Sequence, residues 1–302
     1  MLAFDLMEKG KKMNQHYDFI KDYKENYILR ESFNTLARNT FGIQFEDWYK
    51  LGYWTKNYIP YSIKDGNVIV SNVSVNLMEF NQCGSMKKYI QLGTVMTDKN
   101  YRSLGLNGYL MKQVIEDYKD KCNGIYLFAN DSVLDYYPKF GFRKANEYQY
   151  SRKLSLTGSR GVSPFPLSDK EALEEMERII TACKPCGQMA MNNMGLQMFY
   201  LSSFMKNTVY YVEEQQAYVV AEEEAGNLVL HEVFAAGEVD VTAIAAAFGN
   251  RNQKVILGFV PDKQKNYDRE LLIEEDTTLF VLGNDWEEFE EAGLRFPTLS
   301  HA

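Results

Sequence analysis

Thr94-Val95-Met96-Thr97-Asp98-Lys99-Asn100-Tyr101-Arg102-Ser103-Leu104-Gly105 is the stretch on which the reading of this chain turns. A strand stops at Thr97, a short polar turn follows, and an R-x-x-G loop runs into an amphipathic helix over 103–121. Such a loop turns several backbone N–H groups outward at a helix N-terminus. Those groups and the helix dipole form a site for a phosphate or pyrophosphate. R-x-x-G is common by chance, so its weight depends on its flanks.

Downstream, Leu106, Leu110, Val114 and Tyr118 keep helical spacing, and Asn123-Gly124 is a stop. Gly124 to Ala129 reads as a short buried strand, Asn130 to Pro138 as a short helix or turn, and Lys144 to Leu154 as a last strand. Upstream, Tyr89 to Thr97 is a strand. Asp65-Gly66 is a hairpin turn between Tyr58–Ile63 and a longer strand. In that strand Val68 and Val70 are even positions while Val73, Val75 and Leu77 are odd, which predicts a bulge near Ser71-Asn72. Residues 15–40 read as helical. Strand, loop, helix and strand make a βαβ unit joined to antiparallel hairpins, a mixed α/β domain.

Residues 154–168 concentrate Gly, Ser and Pro and form the best boundary. They divide the chain into a domain over 1–154, a linker over 155–168 and a domain over 169–302. Residues 1–12 are an extension if Met13 is the start. Ser168 with Glu171 predicts a capping box for the next helix. The second half then repeats the order. Tyr210–Val212, Ala217–Ala221 and Asn227–Ala235 are strands, with a turn at Ala225-Gly226. Val241–Phe248 is a helix and Val255–Val260 a strand. Its turn, Gly237-Glu238-Val239-Asp240, is acidic and would repel a pyrophosphate.

Charge follows the same division. Residues 1–154 hold 22 Lys/Arg against 17 Asp/Glu, and residues 155–302 hold 11 against 24. An acidic chain without a basic stripe is a poor nucleic-acid binder, whereas the mildly basic first half suits a small polyanion. No apolar run approaches the ~20 residues of a membrane span, and the short apolar patch Met1–Phe4, broken off by Asp5 and Glu8, does not read as a signal peptide. A cytoplasmic protein is the expectation. Cys183-Lys184-Pro185-Cys186 has the C-x-x-C spacing of redox and zinc sites but lacks a second pair or a His cluster, so no metal is expected.

Thr94–Leu110, followed by Asn130 and by Tyr137-Pro138-Lys139-Phe140-Gly141-Phe142, resembles the GCN5-related N-acetyltransferase (GNAT) family. The family's [QR]-x-x-G-x-[GA] loop is here Arg102-Ser103-Leu104-Gly105-Leu106-Asn107, with Asn at the last position and Gly108 after it. The second piece, an Asn seven residues before Y-x-[KR]-x-G-F, is independent of the first. The layout of two domains resembles bacterial tandem members, the second domain being a degenerate GNAT-like copy. The resemblance implies the acyl-CoA N-acyltransferase fold, with a mostly antiparallel central sheet and flanking helices.

It also implies acetyl-CoA as co-substrate and a small-molecule or peptidyl amine as acceptor, reacting directly in a ternary complex. Val95, Met96 and Thr97 would pair with the pantetheine arm. The N–H groups of Ser103, Leu104, Gly105, Leu106, Asn107 and Gly108 would hold the pyrophosphate beside Arg102. Asn130 would bond the cofactor. Tyr137 would protonate the departing thiolate, as a phenol of pKa about 10 can at neutral pH. The second domain would shape the acceptor cleft or a homo-oligomer interface.

An amine must lose its proton before attack, and neither motif fixes the base. Asp47, in the acidic and aromatic run Glu46–Trp54, is one candidate; Glu79 and the Ala302 carboxylate are others. Trp48, Tyr53 and Trp54 are candidate acceptor contacts through cation–π attraction, or else core packing. A single His on a strand, His231, reads as structural. The rival class is a binding-only or regulatory acyl-CoA module with a drifted site, a reading that Asn107 and the missing base favour.

Overall fold

The structure, a computed structural model, describes residues 7–8, 11–12, 17–154, 160–183, 186–249, 251–284 and 286–301. Met13 and the rest of the expected extension apart from two short strands lie outside them. The first half runs β1 (Met7–Glu8), β2 (Lys11–Lys12), β3 (Asp18–Lys21), α1 (Tyr27–Phe41), α2 (Glu46–Lys50), β4 (Tyr58–Asp65), β5 (Val68–Gln82), β6 (Ser85–Thr97), α3 (Leu106–Tyr118), β7 (Gly124–Ala129), β8 (Arg143–Lys144) and β9 (Tyr148–Lys153). The second runs β10 (Val162–Pro164), α4 (Lys170–Ala182), β11 (Met189–Met191), α5 (Met194–Ser202), β12 (Val209–Val212), β13 (Ala217–Glu224), β14 (Asn227–Ala235), α6 (Val241–Ala246), β15 (Lys254–Leu257), β16 (Asp268–Leu271), β17 (Thr278–Leu282) and α7 (Trp286–Glu291).

Two mixed, mostly antiparallel sheets carry the fold. The first has the order β3-β4-β5-β6-β7-β17-β8, with β11 paired to β5, and the second the order β10-β12-β13-β14-β15-β9-β16. The hairpin from β5 to β6 turns on Cys83 and Gly84, both at positive φ, the backbone that two-residue hairpins need. The predicted bulge is present: Ile63 pairs with Ser71 and Lys64 with Ile69, leaving Val70 as the extra residue. A second bulge lies in β6, where Asn72 pairs with Met96 but Ser74 with Gly93, and Thr94 takes φ +47.

Three expectations about local structure are corrected. Residues 18–21 are not helical but an edge strand on β4; Asp22 at φ +52 breaks the chain, and Asn26 caps α1 by accepting from the N–H groups of Ile28 and Leu29. Aromatics at 19, 23 and 27 mimic a helical stripe because the chain turns between them. Asp169, not Ser168, caps α4, accepting from Ala172 N–H at 2.9 Å. The strand expected over Lys144–Leu154 is two pieces, and they enter different sheets.

That last point interlocks the halves. β9, from the first half, pairs antiparallel with β15 in the second sheet, while β17, from the second half, pairs antiparallel with β7 in the first. Part of the expected linker is also ordered, since β10 pairs with β12. Aromatic packing seals the junction. Phe296 stacks on Tyr126 at 3.9 Å between ring centroids, and Trp286 on Tyr89 at 5.0 Å. Leu106, Leu110, Met111 and Val114 of α3 are buried in a core with Val73, Val75, Leu92 and Leu127 of the first sheet. Among the described residues no helix is long and apolar enough to cross a membrane.

Candidate active site

The site begins where two parallel strands part. β6 and β7 pair from Tyr89–Gly124 to Gln91–Tyr126 and no further. Beyond that point β6 stays on β5 as far as Thr97, and β7 stays on β17. A wedge opens between them, and among the described residues no strand pairs with that edge of β6 from Leu92 to Thr97. An unpaired strand edge accepts an extended chain.

At the mouth of the wedge the chain turns through Ser103 (φ +64) and Gly105 (φ +76) into α3. The first bond of the helix runs from Tyr109 N–H to Gly105 O at 3.0 Å, so the N–H groups of Leu106, Asn107 and Gly108 have no acceptor within it. A Cβ added at Gly105 would meet nothing within 4 Å, so the loop faces open space. Exposed Arg102 lies back on the end of β6, its Nε 3.4 Å from Thr97 O.

Asn107, the departure from the family loop, is seated rather than displaced. Its Nδ2 donates to Asn72 O at 3.2 Å, and its Oδ1 accepts from Tyr136 Oη at 2.7 Å. The residue ties the helix N-terminus to the bulged hairpin on one side and to the neighbour of Tyr137 on the other. Tyr137 is buried, its ring packed edge-on to Tyr136 and Phe142 and tilted against Phe280. Burial raises its phenol well above the usual tyrosine value.

Tyr137, Asn130 and residues 93–95 of the β6 bulge meet in one cavity of about 250 Å³. Asn130 is exposed, and its amide donates to the Asp276 carboxylate at 2.8 Å, with Asp131 N–H on the other oxygen at 2.7 Å. It does not cap the turn that follows with its side chain. Trp48 also lines the cavity, held by Nε1 on Gly195 O at 2.7 Å. Tyr53 and Trp54 do not line it. The Tyr53 hydroxyl lies 3.4 Å from Glu177, and Trp54 donates to Tyr58 O at 3.1 Å inside the aromatic core.

Two of the three candidate bases lie elsewhere. Asp47 is exposed on α2. Glu79 lines a separate cleft and faces Lys88 at 3.7 Å. Ala302 lies outside the described residues. His231 is held by Glu222 at 2.8 Å on its strand. Cys183 and Cys186 are free, both thiols pushed up by burial, that of Cys183 to about 11, and no metal-holding cluster occurs among the described residues.

Sequence reading missed several cavity residues. Leu196, Phe199 and Tyr200 come from α5, Asn76 from β5, and His301 from the chain end. One signal was available: Met194–Ser202 is apolar almost all round, the mark of a buried helix. Asn76 gave none, since it keeps the polar phase of Ser74 in the alternation Val73–Leu77. The His301 ring stacks on Phe128 at 3.9 Å, and its backbone oxygen accepts from Tyr200. Burial, with Arg295 nearby, pulls its imidazole down to about 3, so the ring is neutral.

The second sheet opens a similar wedge, since β14 and β15 pair in parallel only from Asn227–Lys254 to Leu230–Leu257. A cavity of about 780 Å³ lies there, lined in part by Glu238, Asp240 and Asp262. The Asp240 carboxylate already occupies the N-terminus of α6, accepting from Thr242 N–H at 2.8 Å. The place where the first half presents free N–H groups is filled by an anion here.

Comparison with known proteins agrees with this geometry. Residues 19–142 match the family model of the Acetyltransferase (GNAT) family. This stretch is a GNAT domain. The fold extends over both halves in solved structures. A probable N-acyltransferase from Enterococcus faecalis V583 is 15% identical with a TM-score of 0.57, covering 90% of this chain and 74% of its own. A GCN5-related N-acetyltransferase from Anabaena variabilis is 13% identical with a TM-score of 0.55, covering 88% and 72%. One from Kribbella flavida is 16% identical with a TM-score of 0.53, covering 88% and 71%. At these identities the likeness is one of fold, and the second sheet of the chain fits a second GNAT-like domain. No curated protein matches the sequence.

Proposed function

We propose that the chain is an acetyl-CoA-dependent N-acetyltransferase acting on a primary amine by direct attack in a ternary complex. The observation that carries this is the meeting of three features: the wedge beside β6, the free N–H groups at the start of α3, and Tyr137 in the cavity between them. Val95, Met96 and Thr97 offer their strand edge to the pantetheine. Ser103 to Gly108 offer backbone N–H groups to the pyrophosphate, with Arg102 adding positive charge. Asn130 borders the thioester end. As the neutral amine nitrogen bonds to the acetyl carbon, the C–S bond breaks, the Tyr137 hydroxyl gives its proton to the departing thiolate, and the nitrogen sheds a proton to water while the phenolate regains one from it. Asn107 favoured a binding-only module in the sequence; its two hydrogen bonds give it a seat in a working loop instead. Acetyl-CoA is an intracellular metabolite, which supports a cytoplasmic setting.

The test is release of free thiol from acetyl-CoA with a panel of amines. Gly105→Glu, which puts a charged side chain on a left-handed backbone in the pyrophosphate cradle, should abolish stabilisation by acetyl-CoA in a thermal melt. A variant stabilised as well as the parent would remove the loop from the site.

A further inference from the structure

Behind the β6 bulge runs a buried chain of hydrogen bonds that the loop and Tyr137 do not account for. Gly93, Thr94 and Val95 of the bulge line the cavity, and Thr94 takes φ +47. A β-branched residue adopts that backbone at a steric cost and keeps it only where its surroundings enforce it. Two bonds do so here. Asn72 Nδ2 donates to Thr94 O at 2.9 Å, and the Thr94 and Tyr58 hydroxyls bond at 2.7 Å.

Asn72 is the hub of the chain. It is fully buried, as are Ser62 and Ser74 beside it. Its Nδ2 also donates to Ser74 Oγ at 2.9 Å, and its Oδ1 accepts from Ser62 Oγ at 2.7 Å, which in turn lies 2.6 Å from Tyr23 Oη. A carbonyl oxygen only accepts, so Thr94 O fixes which end of the amide faces the bulge. The backbone oxygen of Asn72 has a separate partner, Asn107 Nδ2 at the start of α3. One residue thus joins two parts of the site, its side chain holding the bulge and its backbone holding the loop.

We propose that Asn72 is a positioning residue for the transfer: its side chain holds the Thr94 bulge in the shape that sets the acetyl end of the thioester against the acceptor. The inference rests on the transferase reading above. Because the two roles of Asn72 use different atoms, they separate. Replacing the side chain releases the bulge but leaves the backbone oxygen for Asn107, so turnover suffers while capture of the cofactor does not.

The experiment follows thiol release from acetyl-CoA with n-pentylamine, 2-phenylethylamine, spermidine and glycinamide, and continues with the amine that the parent turns over fastest. Calorimetry gives the Kd for acetyl-CoA, and urea melts give the folded fraction. Asn72→Leu, close in volume, should lower kcat per folded molecule about tenfold or more, with the Kd for acetyl-CoA held within about threefold. Ser62→Ala takes one bond from Asn72 without touching the bulge, and should lower kcat about threefold; it decides alone if Asn72→Leu does not fold. Thr94→Gly removes the Cβ that makes φ +47 costly, so Asn72→Leu should cost less in that background than in the parent. A residue serving stability alone would lower the melting midpoint and leave kcat per folded molecule at the parent value. That result for both variants, or an equal loss in both Thr94 backgrounds, would overturn the positioning role and leave the transferase reading standing. Acetyl-CoA binding by the parent with no thiol release from any amine would overturn both.

Discussion

At the scale of single residues, the proposed transfer rests on the Tyr137 phenol and the seating of the loop on Asn107. Desolvation raises the Tyr137 pKa above its ordinary value of 10, so the hydroxyl stays protonated through neutral and mildly alkaline pH. The described cavity lining includes no Asp or Glu side chain, and the acceptor must react as its neutral amine. The rate should climb with pH toward the pKa of the free amine, with no loss from Tyr137 below pH 10. Tyr137→Phe should lower kcat about 100-fold with acetyl-CoA binding retained; an unchanged kcat would refute the acid assignment. Asn107 acts at a distance from the reacting atoms. Asn107→Ala and Tyr136→Phe each break the 2.7 Å bond that couples loop to turn, and each should cost about 1 kcal/mol of stability. Their effects should fall short of adding in the double variant, which a denaturant-based cycle would measure. Full additivity would mean that the bond contributes nothing.

At the scale of elements, local order was legible and long-range pairing was not. The loop, Tyr137 and the span Asn227–Ala235 could be read because each depends on residues within about ten positions. The bulge at Val70 was visible through its change of parity, whereas the one at Thr94 was not, because Thr carries no mark of a positive φ. Nothing local showed that α5 would bring Phe199 to Trp48, or that β9 would leave β8 for another sheet. A buried carboxylate was equally silent. Glu232 of β14 is 8% exposed, and burial raises its carboxyl to about 7, opposed only by the Val233 N–H. Because the folded value lies above the unfolded value near 4.5, its contribution is fully present below pH 4.5 and is lost as pH rises through about 7. Glu232→Gln should thus leave stability nearly unchanged at pH 4.5 and raise it at pH 8 by on the order of 2–3 kcal/mol. Urea melts at the two pH values check this, and an equal effect at both would show that folding does not raise the Glu232 pKa.

At the scale of the molecule, the two halves are joined by exchange rather than by contact alone. Each parallel strand that opens a wedge is flanked by an antiparallel strand from the opposite half, β7 by β17 and β15 by β9. The exchanged segment also carries the side chains that fill the junction. Trp286 sits where a Cβ on Gly124 would lie, 2.6 Å from that point, and Phe296 covers Tyr126. The cavity spans the same junction, with Trp48 and Tyr137 from one half and Phe199, Tyr200 and His301 from the other. A chain ending at 154 would keep the loop and Tyr137 but expose the β7 edge, Tyr89 and Tyr126. Unpaired edges and uncovered aromatic faces drive aggregation. Such a chain should be insoluble or lack a cooperative melt, and co-expression with 155–302 should restore both solubility and binding of acetyl-CoA. A soluble 1–154 fragment that melts cooperatively and binds acetyl-CoA as the full chain does would show that the exchange is ornamental. The exchange is also the reason the second sheet can lack a pyrophosphate loop and still be required: it supplies a strand and a wall to the first.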